Sequence, residues 1–199
     1  MKRILILIML VVASASVSAQ LFKKKNSNKA VEAQYQAGAV PVINGKVTFE
    51  EFIPAEGMSA AEIEEKVNGW IARRFTKPTV ISSKRYESEQ PHTAIVKSEE
   101  YIVFRNTFFV LNRTRIYYYL TITAEEGGCR FNMSRITYWY DDEDENGGIH
   151  MKAENWLPDE VAFDKKGKLK KFEGKFRRKT IDLKEKLVKE LTDELTSNR

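Results

Sequence analysis

The sequence is poor in the residues that build disulfides and metal centres, with one cysteine and only two histidines in 199 residues. A single cysteine excludes an intramolecular disulfide. Cys129 lies in a strand-like run, which favours a small buried apolar side chain, and a nucleophilic role would need a nearby base. Together with His92 and His150, it does not form a spaced Cys/His metal set.

Motifs that carry catalysis are also missing, since the sequence has neither a glycine-rich phosphate loop nor a G-x-S-x-G elbow. Adjacent acidic pairs occur at Glu50-Glu51, Glu99-Glu100 and Glu125-Glu126. Neighbours on a strand point to opposite faces, so such a pair cannot act on one substrate as two carboxylates do in glycosidases. We therefore predict no catalytic residues and no cofactor, and we keep an enzyme without a recognisable motif as an alternative.

Long hydrophobic runs are absent too, because the apolar stretch Ile4–Ala13 is much shorter than the roughly 20 residues that span a bilayer. It follows Lys2-Arg3 and precedes Val17-Ser18-Ala19, a small-residue cleavage pattern. The pattern predicts a signal peptide over residues 1–19. We expect the mature protein to be exported, either to a periplasm or outside the cell, and to be soluble after cleavage.

The charge is mildly positive and unevenly distributed. The net charge of +5 falls to +3 if cleavage removes Lys2 and Arg3. Lys165–Lys179 holds nine Lys or Arg residues against one acid, whereas Asp141–Glu145 is wholly acidic. The basic segment is a plausible partner of the acidic one within the protein, and it offers an alternative function, peripheral contact with anionic lipid or glycan. Nucleic acid is not an expected partner of an exported protein.

The pattern along the chain predicts a leader and one domain. Residues 20–40 have few apolar anchors and are predicted to be a flexible leader, followed by a single domain over residues 41–199. A strand is expected before Pro54, and Ser59 and Glu62 form a capping box that begins a helix. That helix should end at Lys77, which precedes a proline.

The rest of the sequence predicts several strands and a second helix. Strands are predicted over residues 79–86, 94–97 with 101–105, 113–124 and 129–140. A leucine stripe predicts a helix over residues 180–195, and loops with one short turn of helix are expected between residues 156 and 179. The order β-α-β-β-β-β-α predicts a two-layer α+β domain, an antiparallel sheet with helices on one face.

Part of the sequence resembles a known family. The leader ending in Ser18-Ala19-Gln20 and the segment VPVINGKVTFEEFIPAEGMSAAEIEEKVNGWIARRF, residues 40–75, resemble exported Bacteroidetes proteins that share a domain of unknown function with a TATA-binding-protein-like (TBP-like) fold. The resemblance covers residues 40–196 and is strongest at NGKVTFEE and the helix after it. It implies a curved sheet, and it supplies no functional residues and no DNA-binding activity.

The acidic turn after Tyr140 resembles half of a calcium loop. Asp142, Asp144 and Asn146 occupy the first three ligand positions, and a glycine follows. The closing position is Ala153 rather than a bidentate glutamate. We predict a solvated turn without a metal, and keep the three oxygen-bearing residues only as calcium candidates.

The strand over residues 113–124 separates into an apolar face and a face rich in Arg, Tyr and Thr. In the next strand the phase shifts by one residue near Ser134-Arg135, which indicates a β-bulge. Tyr, Trp and Arg are favoured at recognition surfaces. We predict that the face away from the helices binds a partner (a protein segment, a glycan or a second copy) through Arg115, Tyr117, Tyr119, Arg130, Asn132, Arg135 and Trp139.

Overall fold

The computed structural model describes residues 33–108 and 110–197. The predicted signal peptide and the leader up to residue 32 lie outside them. Ala33–Ala39 belongs to an N-terminal unit and forms turns, in which the amides of Gln36 and Ala39 donate to the carbonyls of Ala33 and Gln36. From Val40 onward the chain forms one compact unit.

That unit contains eight strands and three α-helices among its described residues. The strands are β1 (Val42–Ile43), β2 (Lys46–Val47), β3 (Phe49–Pro54), β4 (Val80–Tyr86), β5 (Thr93–Thr107), β6 (Val110–Glu125), β7 (Gly128–Tyr140) and β8 (Ile149–Lys152). The helices are α1 (Ala60–Arg74), α2 (Asp159–Ala162) and α3 (Lys171–Thr196), and a single 3₁₀ turn covers Ala153–Asn155. None of the described helices is both long and apolar enough to cross a membrane.

Six of the strands form one antiparallel sheet. Its order is β3-β7-β6-β5-β4, and β8 pairs with the end of β7. The core lies between one face of this sheet and helices α1 and α3, so the predicted two-layer α+β fold is confirmed.

The capping box that the sequence predicts begins α1. The Ser59 hydroxyl accepts from the amide of Glu62, whose carboxylate accepts from the Ser59 amide at 2.8 Å. The reciprocal bonds satisfy amides that the first helical turn leaves without partners. The helix then buries Ile63, Val67 and Trp70 against the sheet side of the molecule.

The predicted β-bulge is present in β7. The register between β6 and β7 shifts between Tyr117 and Tyr119, and Arg135 has a φ of 52°. On both sides of it, alternate residues are buried, so one face of the sheet meets the helices throughout. Cys129 is buried in this strand, and burial together with the nearby Glu125 raises the pKa of its thiol to about 12. That environment suits a packing residue rather than a nucleophile.

Three details of the predicted order are wrong. The strand predicted in two pieces is the continuous β5, and β8 was not predicted at all. The last helix begins at Lys171, nine residues before the predicted start, so half of the lysine-rich segment is helical rather than loop. Residue 174, inside this helix, is a glycine. A Cβ at this position would come within 2.8 Å of the Leu169 side chain.

A buried ionic cluster joins the sheet to both long helices. The Arg74 guanidinium donates to both carboxylate oxygens of Glu100 at 2.9 Å, and the Tyr118 hydroxyl donates to the same carboxylate at 2.5 Å. Glu190 of α3 lies 3.2 Å from Arg74 Nε. Burial acts to lower the pKa of Arg74, but the charge of Glu100 raises it above the ordinary value. Arg74 is therefore a permanent cation in the core.

Candidate functional site

All the candidate residues lie on the face of the sheet away from the helices, here called the outer face. They are Arg115, Tyr117 and Tyr119 on β6, and Arg130, Asn132, Arg135 and Trp139 on β7. Their neighbours at even positions of β6 are buried, whereas these side chains are half-buried or exposed. The alternation therefore gathers the whole set on one surface, but the contacts divide that surface into two regions.

The first region, here called the neutralised end, is centred on Arg115. Its Nε donates to the Asp142 carboxylate at 2.5 Å and its Nη1 donates to Glu99 at 3.0 Å. The guanidinium also lies 4.7 Å from the Trp139 ring centre and 5.7 Å from that of Tyr101. Burial of the guanidinium acts to lower the pKa of Arg115, but its hydrogen bonds to Asp142 and Glu99 raise that pKa above its ordinary value. Arg115 is thus a structural cation held between two carboxylates.

Glu99 completes the neutralised end. Its carboxylate accepts from the Ser82 hydroxyl at 2.9 Å, and from Arg115 and the Tyr117 hydroxyl at 3.0 Å each. Partial burial works against ionisation, but these three hydrogen bonds lower the pKa of Glu99 below its ordinary 4.5. Burial and the bond to Glu99 raise the pKa of Tyr117 to about 12, so this phenol stays a neutral donor.

The acidic turn after β7 is held by the neutralised end. The Arg113 guanidinium donates to Glu143 at 2.7 Å, and the Trp139 indole donates to the Gly147 carbonyl at 2.7 Å. Asp142 is the partner of Arg115. The expected pairing with Lys165–Lys179 is therefore wrong for Asp142 and Glu143, whose partners are arginines of β6.

The calcium candidates are engaged in contacts of their own. The Asp142 carboxylate is paired with Arg115, and the Asp144 carboxylate accepts from the backbone amide and side chain of Asn146 at 2.8 and 2.9 Å. Within residues 33–108 and 110–197, no group of three or more His, Cys, Asp or Glu side chains is arranged to hold a metal. The turn is stabilised by protein donors.

The second region, here called the cationic centre, contains Lys84, Tyr86, Lys97, Tyr119 and Arg135. The Tyr86 and Tyr119 rings stack with their centres 6.0 Å apart and their planes 30° apart. Lys84 Nζ lies 5.1 Å from the Tyr86 ring centre, and the Arg135 guanidinium lies 5.0 Å from that of Tyr119. A shallow depression of about 330 Å³ is lined by Lys97, Tyr119 and Arg135. The aromatic pair is therefore bordered by cations.

The cationic centre lacks the carboxylates that balance Arg115. In the part of the chain that the structure describes, Lys84, Lys97 and Arg135 form no ion pair. Lys84 and Lys97 are also directly opposite each other on β4 and β5. Like charges in that position destabilise a sheet unless a counter-ion separates them. The bulge adds a third cation, because it places the exposed Arg135 on this face in a left-handed backbone conformation.

A larger depression of about 560 Å³ adjoins the hairpin end of the outer face. Its walls include Phe52, Thr121, Thr123, Arg130 and Asn132. The Phe52 ring is about half exposed, the Asn132 amide donates to Glu50 at 2.9 Å, and Arg130 is paired with Glu125. This depression offers hydroxyl, amide and carboxylate groups beside one aromatic ring.

Sequence reasoning missed three residues of the cationic centre, namely Lys84, Tyr86 and Lys97. Strand alternation could have found them, because odd positions of β5 and even positions of β4 continue the outer face of β6. Conversely, Arg115 and Trp139 lie on the predicted face but already have partners within the chain.

Comparison with solved structures decides the family. A DUF4468 family protein from Bacteroides ovatus ATCC 8483 is 30% identical in sequence, with a TM-score of 0.76, over 84% of this chain and 96% of that one. Residues 49–139 match the domain of unknown function DUF4468 with TBP-like fold. The chain belongs to the DUF4468 family. The predicted resemblance to a domain of unknown function with a TBP-like fold is confirmed.

The DUF4468 fold is also shared with a more distant structure. A TBP-like protein from Parabacteroides distasonis ATCC 8503 is 23% identical, with a TM-score of 0.66, over 80% of this chain and 99% of that one. No curated protein matches the sequence significantly. Within this DUF4468 domain, the family match spans β3 to β7 up to Trp139. It includes the cationic centre and Arg115, Glu99 and Tyr117 of the neutralised end, but not Asp142.

Proposed function

We propose that this DUF4468 domain is a binding module whose outer face receives an acidic glycan at the cationic centre. The observation that carries the proposal is the contrast in charge balance on one surface. Arg115 is fully engaged by Glu99 and Asp142, whereas Lys84 and Lys97 oppose each other without a carboxylate. A bound carboxylate would remove that repulsion and gain charge-assisted hydrogen bonds.

The aromatic residues and the neighbouring depression favour a sugar chain as the source of the carboxylates. Stacked Tyr86 and Tyr119 give a flat apolar area with hydroxyl groups at its edge. The depression beside Thr121 and Asn132 supplies small polar groups suited to sugar hydroxyls. A uronic acid chain could place its carboxylates against the cations and its neutral hydroxyls in that depression.

The signal-like N-terminus supports the proposal that this binding takes place outside the cytoplasm. Lys2-Arg3, the apolar stretch Ile4–Ala13 and Val17-Ser18-Ala19 together favour export, to a periplasm or to the cell exterior. The expected partner is accordingly an envelope or extracellular glycan rather than nucleic acid. Export would be tested by the N-terminal sequence of the protein recovered from its native source, which we expect to begin at Gln20.

Isothermal titration with two defined oligosaccharides tests the proposal. Oligogalacturonate, which carries a carboxylate on each sugar, should bind, and a neutral malto-oligosaccharide of equal length should not. The variant Lys84→Gln/Lys97→Gln/Arg135→Gln should weaken oligogalacturonate binding roughly tenfold or more, since it removes the charged donors. Added salt should weaken binding of the unmodified protein in the same direction.

A matched control distinguishes a site from general attraction to a positive protein. Lys46→Gln/Lys186→Gln/Lys189→Gln removes the same charge from exposed positions on β2 and α3. We expect this variant to bind like the unmodified protein. Equal losses in both triple variants, or equal binding of the acidic and the neutral sugar, would contradict the proposed function.

A further inference from the structure

The hairpin of β5 and β6 extends beyond the rest of the sheet. Pairing between β6 and β7 ends at Thr114 with Tyr140. Past that point Val103–Thr107 and Val110–Arg113 pair only with each other, as a two-stranded ribbon. Four residues of strand at about 3.4 Å each carry its tip about 14 Å past the sheet. A ribbon of this kind cannot bury its own side chains.

The tip of this ribbon is apolar and exposed. Phe108 is 94% exposed and Leu111 is 54% exposed, and Val110 beside them is also exposed. The sequence from Phe108 to Leu111 contains no polar residue. Apolar residues gathered on a projecting tip mark a site of contact with a protein or a membrane.

Cations surround the base of the ribbon. Lys175 Nζ lies 3.1 Å from the Tyr140 hydroxyl and 3.4 Å from Asn112 Oδ1, so the first turns of α3 lie against the ribbon base. Lys171 in this part of α3 and Arg105 on the ribbon are both exposed.

Nearby acids are partly neutralised within the protein. Glu143 is paired with Arg113, and Asp142 is paired with Arg115. Glu173, the one acid of the lysine-rich segment, lies 3.7 Å from Lys170. On the α3 side of the ribbon base, Lys171 and Lys175 therefore outnumber Glu173, whereas Asp141, Asp144 and Glu145 lie in the turn after β7.

We propose that the β5–β6 hairpin inserts its apolar tip into the surface of an anionic lipid membrane, with the cations at its base facing the headgroups. A convex tip needs a matching socket on a protein, whereas a lipid surface deforms around it. The order of groups also fits a membrane, since apolar side chains lie outermost and Arg105, Lys171 and Lys175 lie behind them. Cations near an anionic membrane each strengthen such binding.

A fluorescent label at the tip tests the proposal in the full chain. Thr107→Cys offers an exposed thiol beside Phe108, whereas the native Cys129 is buried with the pKa of its thiol raised to about 12. Ser83→Cys on the exposed edge strand β4 is the matched label position. With vesicles of equal parts phosphatidylcholine and phosphatidylglycerol, the label at residue 107 should shift to the blue and the label at residue 83 should not.

Two double variants show whether the tip itself is responsible. Phe108→Ser/Leu111→Ser should lower vesicle affinity roughly tenfold, because it removes the inserted side chains. Val42→Ser/Ile43→Ser removes two exposed apolar side chains elsewhere and should leave affinity unchanged. The N-terminal apolar stretch is the same in every variant, so it does not affect the comparison.

The lipid composition tests the part played by the cations. Vesicles of phosphatidylcholine alone should give a weaker shift at residue 107, and salt should weaken binding only when phosphatidylglycerol is present. An unchanged label at residue 107 with mixed vesicles would overturn the proposal, as would equal losses in both double variants. A blue shift that grows with protein concentration without lipid would also overturn it, since a second copy would then cover the tip.

Discussion

The neutralised end and the cationic centre lie on the same sheet face and use the same kinds of residue, but they balance charge in opposite ways. At the neutralised end Arg115 has two carboxylates and an aromatic ring within reach. In the cationic centre Lys84 and Lys97 oppose each other beside Tyr86 and Tyr119. The two regions therefore differ in the balance of charge and not in residue type, and the proposal that the cationic centre binds a ligand rests on that difference.

The largest effect on stability is expected at a third charged group, the buried pair of Arg74 and Glu100 on the face that meets the helices. Arg74→Met leaves the Glu100 carboxylate buried without its cation, which should lower the free energy of unfolding by about 3 to 5 kcal/mol. Urea unfolding measures the loss. A loss below 1 kcal/mol would contradict the assignment of Arg74 as the buried partner that stabilises Glu100.

Arg115→Met should disrupt the neutralised end and lower stability by less than Arg74→Met does. It removes the partner of Glu99 and Asp142, both of which are less deeply enclosed than Glu100, and should lower the free energy of unfolding by about 2 kcal/mol. Amide hydrogen exchange should speed up in the acidic turn after Tyr140. Binding of oligogalacturonate should be kept, and its loss would show that the two regions do not act separately.

Acid pH should remove the contribution of Glu99 to the stability of the neutralised end. The pKa of Glu99 is lowered in the folded protein, so its contribution to stability is present above pH 4.5 and is lost as the pH falls through the folded pKa. Glu99→Gln should therefore be less stable than the unmodified protein at neutral pH. The difference should shrink below pH 4.5, and a difference that grows there would contradict the assignment.

Lys97→Gln should give the smallest change in stability and the opposite sign. Removing one of two opposed cations should raise the free energy of unfolding by about 0.5 kcal/mol. The same change should weaken binding of oligogalacturonate. Thermal unfolding at low and high salt checks the cause, because the gain should vanish when salt screens the repulsion. Destabilisation at low salt would mean that Lys97 has a structural partner.

The strand alternation and the bulge were predictable from the sequence because the side-chain period in a strand is strict. The slip near Ser134-Arg135 was visible as a change of phase, and the structure places a bulge there. The N-terminus of α1 was predictable for a similar local reason, since Ser59 and Glu62 are three residues apart.

Long-range charge pairs were not predictable from local patterns. Arg115 and Asp142 are 27 residues apart, and only the folded turn brings them together. The four-residue β8 was missed because it is too short to show a clear alternation. The early start of α3 was hidden by Gly174, whose role depends on contact with Leu169. Each of these features is set by packing between distant segments.

The central claim is best tested by mapping backbone amide shifts with nitrogen-15 NMR while oligogalacturonate is added. We predict that the largest shifts occur at Lys84, Lys97, Tyr119 and Arg135, with little change at Arg115 and Asp142. Shifts concentrated at the neutralised end or on the helices, or no shifts at all, would contradict the account.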